Sequence, residues 1–530
     1  MPNGYLCLVL HAHLPYVRHP EYERFLEERW FFEAITETYI PLIKFFDRLR
    51  AEGVKAKMTL SVSPTLANMM EDPLLQQRYL RHLEMSIRLA ERELERTRHW
   101  PHMHFLAGMY KALFEEARLV FEQRCEMRLV KAFKEFEEAG YLELITCAAT
   151  HGFLPALIAE PETVRAQIQI SIREHERIFG KKPKGLWVPE CAWFPGLDVV
   201  IAEAGIKFFF VDSHGIEHAE PRPQFGVHAP LFCPSGVAAF GRHPATSKLV
   251  WSDKVGYPGD TNYREYFRDI GLELDANYLE EFQSAKGIRS PTGIKYHKIT
   301  GKGSDKHLYE PDRARETAEM HARDFVNRCR DQANRASPGM PLPAILVSPY
   351  DAELFGHWWF EGPQWIYYVL KEIARGDGQF ATTTPSEYLK THPIQQKAVP
   401  GPSSWGKNGY SEHWINPKTD WMWRPLHEAG ARMTKIAGAN PSPASRLDDR
   451  ALKQAARELL LAQSSDWPFI ITNGTTEQYA RRRFNDHLKR FHYILDGFDR
   501  KQIDENRLAA LEHMDAIFPE LDYRVFASRS

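Results

Sequence analysis

Cysteine is scarce and follows no paired pattern. The six cysteines (Cys7, Cys125, Cys147, Cys191, Cys233 and Cys329) are scattered, with no CxxC spacing. That argues against structural zinc and for a reducing compartment, so the cytoplasm is the expected location. Long apolar runs are also missing. No window approaches the ~18 consecutive apolar residues of a membrane span, and no basic start leads into a small-residue cleavage site. Neither sign of charge dominates, with a net charge of -2 over 530 residues. Neither a membrane nor a nucleic acid is an expected partner, and a neutral substrate suits that balance. No internal repeat or low-complexity tract is evident.

The hydrophobic content of 43% and charged content of 26% belong to a soluble globular protein. A chain of 530 residues exceeds one ordinary core, so about two or three domains are expected. Tryptophan stands out. Many of the 13 lie near Gly, Pro or His instead of inside periodic segments. Most fit a core, but an indole also offers a flat apolar face with a polar edge, suited to sugar rings.

Apolar runs at 5–10, 57–62, 142–147, 185–188, 207–212 and 344–347 read as buried strands. Several exit directly into reactive side chains: His11 and His13, His151, Glu190, and Asp351. Strands alternate with helical stretches at 29–50, 162–179 and 313–330. That is the pattern of a β/α barrel with its site at the C-terminal face. Residues 67–138 carry long helices beyond what a crossover needs and read as a helical insertion. The stretch 221–310 is less regular, with an exposed turn around Tyr257 and a loop at 290–296 feeding a strand. The expected domains are a barrel over 1–394, a linker at 395–404 and an all-α C-terminal domain over 405–530.

Glu190 sits in WVPECAW (187–193), between proline and cysteine and flanked by two tryptophans; Asp351 sits in SPYDAELFGHWW (348–359). Two carboxyls at two strand ends suit glycosidic cleavage, in which one protonates the leaving oxygen and the other attacks or stabilises the anomeric centre. The bland alternative for each is a buried carboxylate capping a loop. His11-Ala12-His13 invites a metal, as in a metal-dependent polysaccharide deacetylase. The expectation is that the two rings converge only where the strand has ended. The preferred reading is metal-free: histidines that bond substrate hydroxyls or orient a carboxylate. Ser464-Ser465-Asp466-Trp467 interrupts a strong helix, either as a cap or as a C-terminal contribution to a glucan groove.

HAHLP (11–15), THGFLP (150–155), WVPECAW, SPYDAELFGHWW and SSDWPFI (464–470) together resemble the motifs of glycoside hydrolase family 57. In order and over nearly the whole chain, they are most similar to its glucan-branching members. The resemblance implies an incomplete (β/α)7 barrel with a helical insertion, an all-α C-terminal domain, and a retaining mechanism with no metal or cofactor. It implies Glu190 as nucleophile and Asp351 as general acid/base. His11, His13, His151, His357, Trp30, Trp405, Trp414, Asp466 and Trp467 would contact the α-glucan, and Tyr257 would shield the intermediate. Two departures stand: Tyr350-Asp351-Ala352 where Phe-Asp-Thr is usual, and Leu272 where branching members tend to carry an aromatic. Amylase hydrolysis, 4-α-glucanotransfer, deacetylation and silent glucan binding remain as alternatives.

Overall fold

The apolar runs become β1 (Gly4–Ala12), β2 (Met58–Val62), β3 (Leu142–Cys147), β4 (Gly185–Trp187) and β5 (Phe208–Val211). The stretch expected to be irregular contributes β6 (Leu231–Phe232) and β7 (Ala238–Gly241), and then come β8 (Ala344–Asp351) and β9 (Phe380–Thr382). The computed structural model describes residues 2–252, 255–283, 287–301, 303 and 306–528. Among these the nine strands form one sheet in the order β6-β7-β5-β4-β3-β2-β1-β8, with β9 against β1. Every pairing is parallel except β6 with β7.

The sheet comes round on itself. Arg242, just past β7, bridges Val347 of β8, and the His243 N–H donates to the Val347 carbonyl at 2.8 Å. Seven parallel strands (β1–β5, β7 and β8) therefore make a barrel whose last seam is one bridge instead of a full ladder. It is the incomplete seven-stranded barrel the motifs imply.

Residues two apart on a strand share a face. Cys7 and Val9, Ile145 and Cys147, Phe208 and Phe210, and Ile345 and Val347 accordingly fill the barrel interior as one buried cluster, with Trp187. Their neighbours Leu6, Leu8, Leu10, Leu144 and Leu346 face the helical layer. Burial on both faces is why these strands read as continuous apolar runs and not as alternation. Gly185 opens β4 because a Cβ there would lie 2.3 Å from the Phe208 ring.

The stretch 29–50 is not one regular helix. Glu28–Ala34 and Ile40–Ala51 are α-helical, but Ile35–Tyr39 widens into a π turn. Glu37 and Tyr39 leave that turn to reach Arg264 and Glu353. Between β2 and β3, Pro73–Thr97 and Pro101–Leu119 form a helical hairpin, and Asp72 caps the first with a 3.0 Å bond from Leu75 N. The strand expected after 290–296 does not form; Asp269 instead holds that loop through Thr292 N and Gly293 N.

Beyond the barrel, helices Asp420–Ala439, Arg446–Ala462, Asp466–Asn473, Glu477–Asp499 and Glu505–Met514 pack together. Leu452, Ala455, Ala456, Leu459 and Leu460 are fully buried along one of them. The stretch 395–404 runs strapped to the barrel, with Val399 bridging Glu220 and Ser403 bridging Trp193. Gly152, past β3, bridges Ser464, and the Ser465 N–H donates to the His151 carbonyl at 3.0 Å. Those bonds bring the SSDW turn to the C-terminal end of the barrel. Among the described residues, no helix is long and apolar enough to cross a membrane.

Candidate active site

The strand ends deliver their side chains to one place. Register sets His11 beside Ser61 of β2 and Asp351 of β8. His13 lies just past the end of β1 at Ala12, and there its ring stacks beside that of His11 with centroids 5.8 Å apart. Its ring stacks on His151 with centroids 3.9 Å apart, and its Nε2 lies 3.1 Å from Asp466 Oδ2. The His11 ring lies flat on Trp187 at 4.5 Å.

Backbone strain marks the site. His151, Glu190 and Cys191 all adopt left-handed conformations, with φ of 57°, 62° and 49°. A non-glycine residue there costs on the order of 1–3 kcal/mol, which the surrounding packing must hold in place. The result turns the Glu190 carboxylate inward, where the residue is 9% exposed. Its Oε2 accepts from Trp405 Nε1 at 2.8 Å and its Oε1 from the Ser465 hydroxyl at 3.0 Å.

Burial lifts Glu190 to about 7; the Trp405 and Ser465 bonds pull against it and the Asp466 charge adds to it. The Trp414 indole also pulls it down, although its Nε1 stops short of a hydrogen bond. Burial likewise carries Asp351 to about 7, helped by the Glu190 charge and opposed by His13 and Arg242. A third carboxyl, Glu353, is carried to about 8, again mainly by burial; it bonds the Tyr39 hydroxyl and the His13 N–H. Burial would raise Asp466 too, but His13, His151 and Ser464 outweigh it and hold it below the ordinary carboxylate value.

The structure thus gathers Glu190, Asp351, His11, His13, His151, Trp405 and Asp466. Five other expected residues lie differently. Trp414, expected on an open groove, is 1% exposed and stacked on Phe153 at 4.6 Å. Trp467 is also 1% exposed, its Nε1 satisfied by the Leu461 carbonyl, because it anchors the helix that follows the SSDW turn. Tyr257 is not at an exposed apex. It is 7% exposed, donates its hydroxyl to Asp324 at 2.7 Å and packs against His321 and Trp365 in the helical layer. His357 spends Nδ1 on Glu37 at 2.7 Å and Nε2 on the Tyr266 hydroxyl at 3.2 Å, so protein groups occupy both nitrogens. Trp30 is half-buried, edge-on to Tyr479.

Sequence reasoning missed Ser61, Glu353, Ser465, and the Asp212–Arg242 pair at 3.1 Å whose guanidinium lies over the Trp405 ring. Ser61 had a legible signal, since a strand parallel to β1 must put some side chain beside His11. Among the described residues, two groups offer metal-ligand atoms within 4.8 Å of one another: His11, Cys147 and His151 here, and Glu458, His487 and Asp515 in the C-terminal helices. In the first, the two Nε2 atoms already face each other at 2.9 Å. In the second, Arg490 lies 2.7 Å from Asp515, and that positive charge disfavours a cation.

Residues 7–399 match the sequence profile of glycosyl hydrolase family 57. The chain belongs to that family. It is therefore an enzyme of the glycosyl-hydrolysing or glycosyl-transferring kind. A second profile, described as the C-terminal part of 1,4-alpha-glucan branching enzyme, matches residues 425–526. This family 57 chain is 33% identical to a 1,4-alpha-glucan branching enzyme of Thermococcus kodakarensis, over 97% of its length and 77% of that protein. In structure it superposes on the alpha-amylase AmyC of Thermotoga maritima with a TM-score of 0.93, at 42% identity and full coverage of both. It superposes on the family 57 branching enzyme of Pyrococcus horikoshii with a TM-score of 0.89, at 32% identity, covering 100% of this chain and 97% of that one.

Proposed function

We propose that this family 57 enzyme is a 1,4-α-glucan branching enzyme working by retaining double displacement. The observation that carries the reading is the join between its two matched segments. Ser465 and Asp466, within the branching-enzyme C-terminal match, bond Glu190 and His13 of the barrel.

The two carboxyls take different roles because their partners differ. Glu190 accepts two hydrogen bonds, which favour its anion, so it attacks C1 of an α-1,4-linked glucosyl unit. Asp351 accepts none among the described residues, and burial beside Glu190 favours its protonated form; it gives that proton to the departing chain. In the second step Asp351 takes the proton of a glucan 6-hydroxyl. That oxygen displaces Glu190 from C1, leaving an α-1,6 branch and a free carboxylate. His11, His13 and His151 line the sugar-binding side of the pair. The substrate is an α-glucan, and the chemistry asks for no cofactor.

Hydrolysis is the second reading, since water can replace the acceptor hydroxyl. The full-length likeness to an amylase favours it, as does Tyr257, whose ring is engaged in the helical layer instead of over the ester. Incubation with amylose, enzymatic debranching and chain analysis tests both. New α-1,6 linkages in excess of new reducing ends support branching, and reducing ends without branches would replace it with hydrolysis.

A further inference from the structure

A chain of hydrogen bonds leads from Glu190 to Ser61. Ser465 Oγ lies 3.0 Å from Glu190 Oε1 and 2.7 Å from His151 Nδ1. His151 Nε2 lies 2.9 Å from His11 Nε2, and His11 Nδ1 lies 3.0 Å from Ser61 Oγ. The two imidazoles have centroids 5.0 Å apart and planes 23° apart, so their nitrogens meet nearly head to head. β1, β2, the turn after β3 and the C-terminal helices each supply a link.

The protons in this chain have one complete arrangement while Glu190 is charged. A carboxylate only accepts, so Ser465 must give it the hydroxyl proton. The Ser465 oxygen then accepts from His151 Nδ1–H. Burial holds His151 and His11 well below the ordinary histidine value, so each ring is neutral and carries one N–H. His151 Nε2 must therefore accept, His11 Nε2–H must donate, and His11 Nδ1 must accept from Ser61. A proton on Glu190 Oε1 reverses every bond, whereas a proton on Oε2 leaves Oε1 accepting from Ser465. The reversed chain ends on the Ser61 hydroxyl proton, which is 0% exposed and has no second partner among the described residues. A buried donor left unmet is costly, so the chain opposes a proton on Oε1, while the Trp405 N–H opposes one on Oε2.

We propose that Ser465 is a positioning residue for Glu190, the last link of a one-way relay from Ser61 that holds the carboxylate charged and oriented for attack. The proposal rests on Glu190 being the nucleophile. It gives the C-terminal helices a part in the chemistry.

The test uses the full chain with amylose and with a maltooligosaccharide bearing 4-nitrophenol, whose release reports attack by Glu190. Ser465→Ala is expected to lower kcat by ~10- to 10²-fold, the worth of a hydrogen bond to a charged group, with KM little changed. Its acid limb in the pH profile should move to higher pH, because the carboxylate loses a donor. Asp351, Asp466, His151, Cys147, Cys191 and Arg242 also face this centre, directly or through Trp405, and none is altered in the variants tested. Ser465→Thr keeps the hydroxyl and should restore most of the rate. Ser61→Ala touches neither Glu190 nor the sugar, yet should move the limb the same way by less. An acid limb unchanged in Ser465→Ala overturns the positioning role. Wild-type behaviour of Ser61→Ala beside an impaired Ser465→Ala overturns the relay, leaving a lone bond. If Ser465→Ala fails to fold, the limb of Ser61→Ala decides alone. A wild-type chain inert on both substrates overturns the glucan reading itself, and the relay with it.

Discussion

Trp405 is tied to Glu190 twice, by its indole N–H to Oε2 at 2.8 Å and by its backbone N–H to the Glu190 carbonyl at 3.0 Å. The residue at the start of the C-terminal region therefore sets both the side chain and the strained backbone of the carboxylate. Trp405→Phe keeps most of the ring but removes the side-chain donor. Turnover of amylose should fall at least ~10-fold, since the bond is to a charged group. Trp405→Phe with wild-type kcat would mean that Oε2 needs no donor.

Glu190→Gln and Asp351→Asn should each lower turnover by at least ~10²-fold while keeping the fold, because the amides match the carboxyls in shape. Circular dichroism checks the fold, and reducing ends plus branches on amylose check turnover. Either variant turning over near the wild-type rate would remove that carboxyl from the mechanism.

The strands that could be read from sequence are those buried on both faces, such as β1 and β8, whose apolar runs are unbroken. β7 escaped notice because Ala238-Ala239-Phe240-Gly241 is short and small. Its Gly241 is required by Ile216, which a Cβ would meet at 2.5 Å, and that contact has no local signature. The π turn at Ile35–Tyr39 keeps the apolar rhythm of its flanking helices, so nothing in the spacing betrays it. Around Tyr257 the turn chemistry was legible, and Tyr257–Gly259 is a tight turn. The partner that buries the ring, Asp324, lies 67 residues on, beyond any local pattern. Motifs named the carboxyls and histidines of the site. They did not convey that serines complete their hydrogen bonds, because a serine in a strand or turn has many ordinary uses.

Trp414 and Trp467 are core aromatics at the join between barrel and C-terminal helices. Alanine at either should cost ~3–5 kcal/mol of stability, as emptying a packed aromatic site does. Denaturant unfolding measures the loss. A groove role would instead leave stability unchanged and weaken glucan binding alone.

Tyr257→Phe deletes the hydroxyl bonded to Asp324 and should cost ~1–3 kcal/mol, a bond to a charged acceptor. The ratio of reducing ends to branches should not move, since the ring lies in the helical layer against His321 and Trp365. A shift of that ratio towards hydrolysis in Tyr257→Phe would return Tyr257 to the site.

The buried carboxyls also fix how stability depends on pH. Burial carries Glu190 from 4.5 to about 7 and Asp351 from 3.8 to about 7. Between those values the folded chain binds more protons than the unfolded one, so folding stability falls as pH rises across about 4 to 7. The penalty is absent below the unfolded values and complete above the folded ones. For Glu190 alone it is at most on the order of 3 kcal/mol. Because the Glu190 charge raises Asp351, the two penalties do not simply add. Glu190→Gln and Asp351→Asn remove an ionisable group without emptying space. Each should therefore unfold like the wild type near pH 4 and resist denaturant better than the wild type at pH 8, while having lost turnover. Equal stability of variant and wild type at pH 8 would mean that the hydrogen bonds around the carboxylates fully offset their burial.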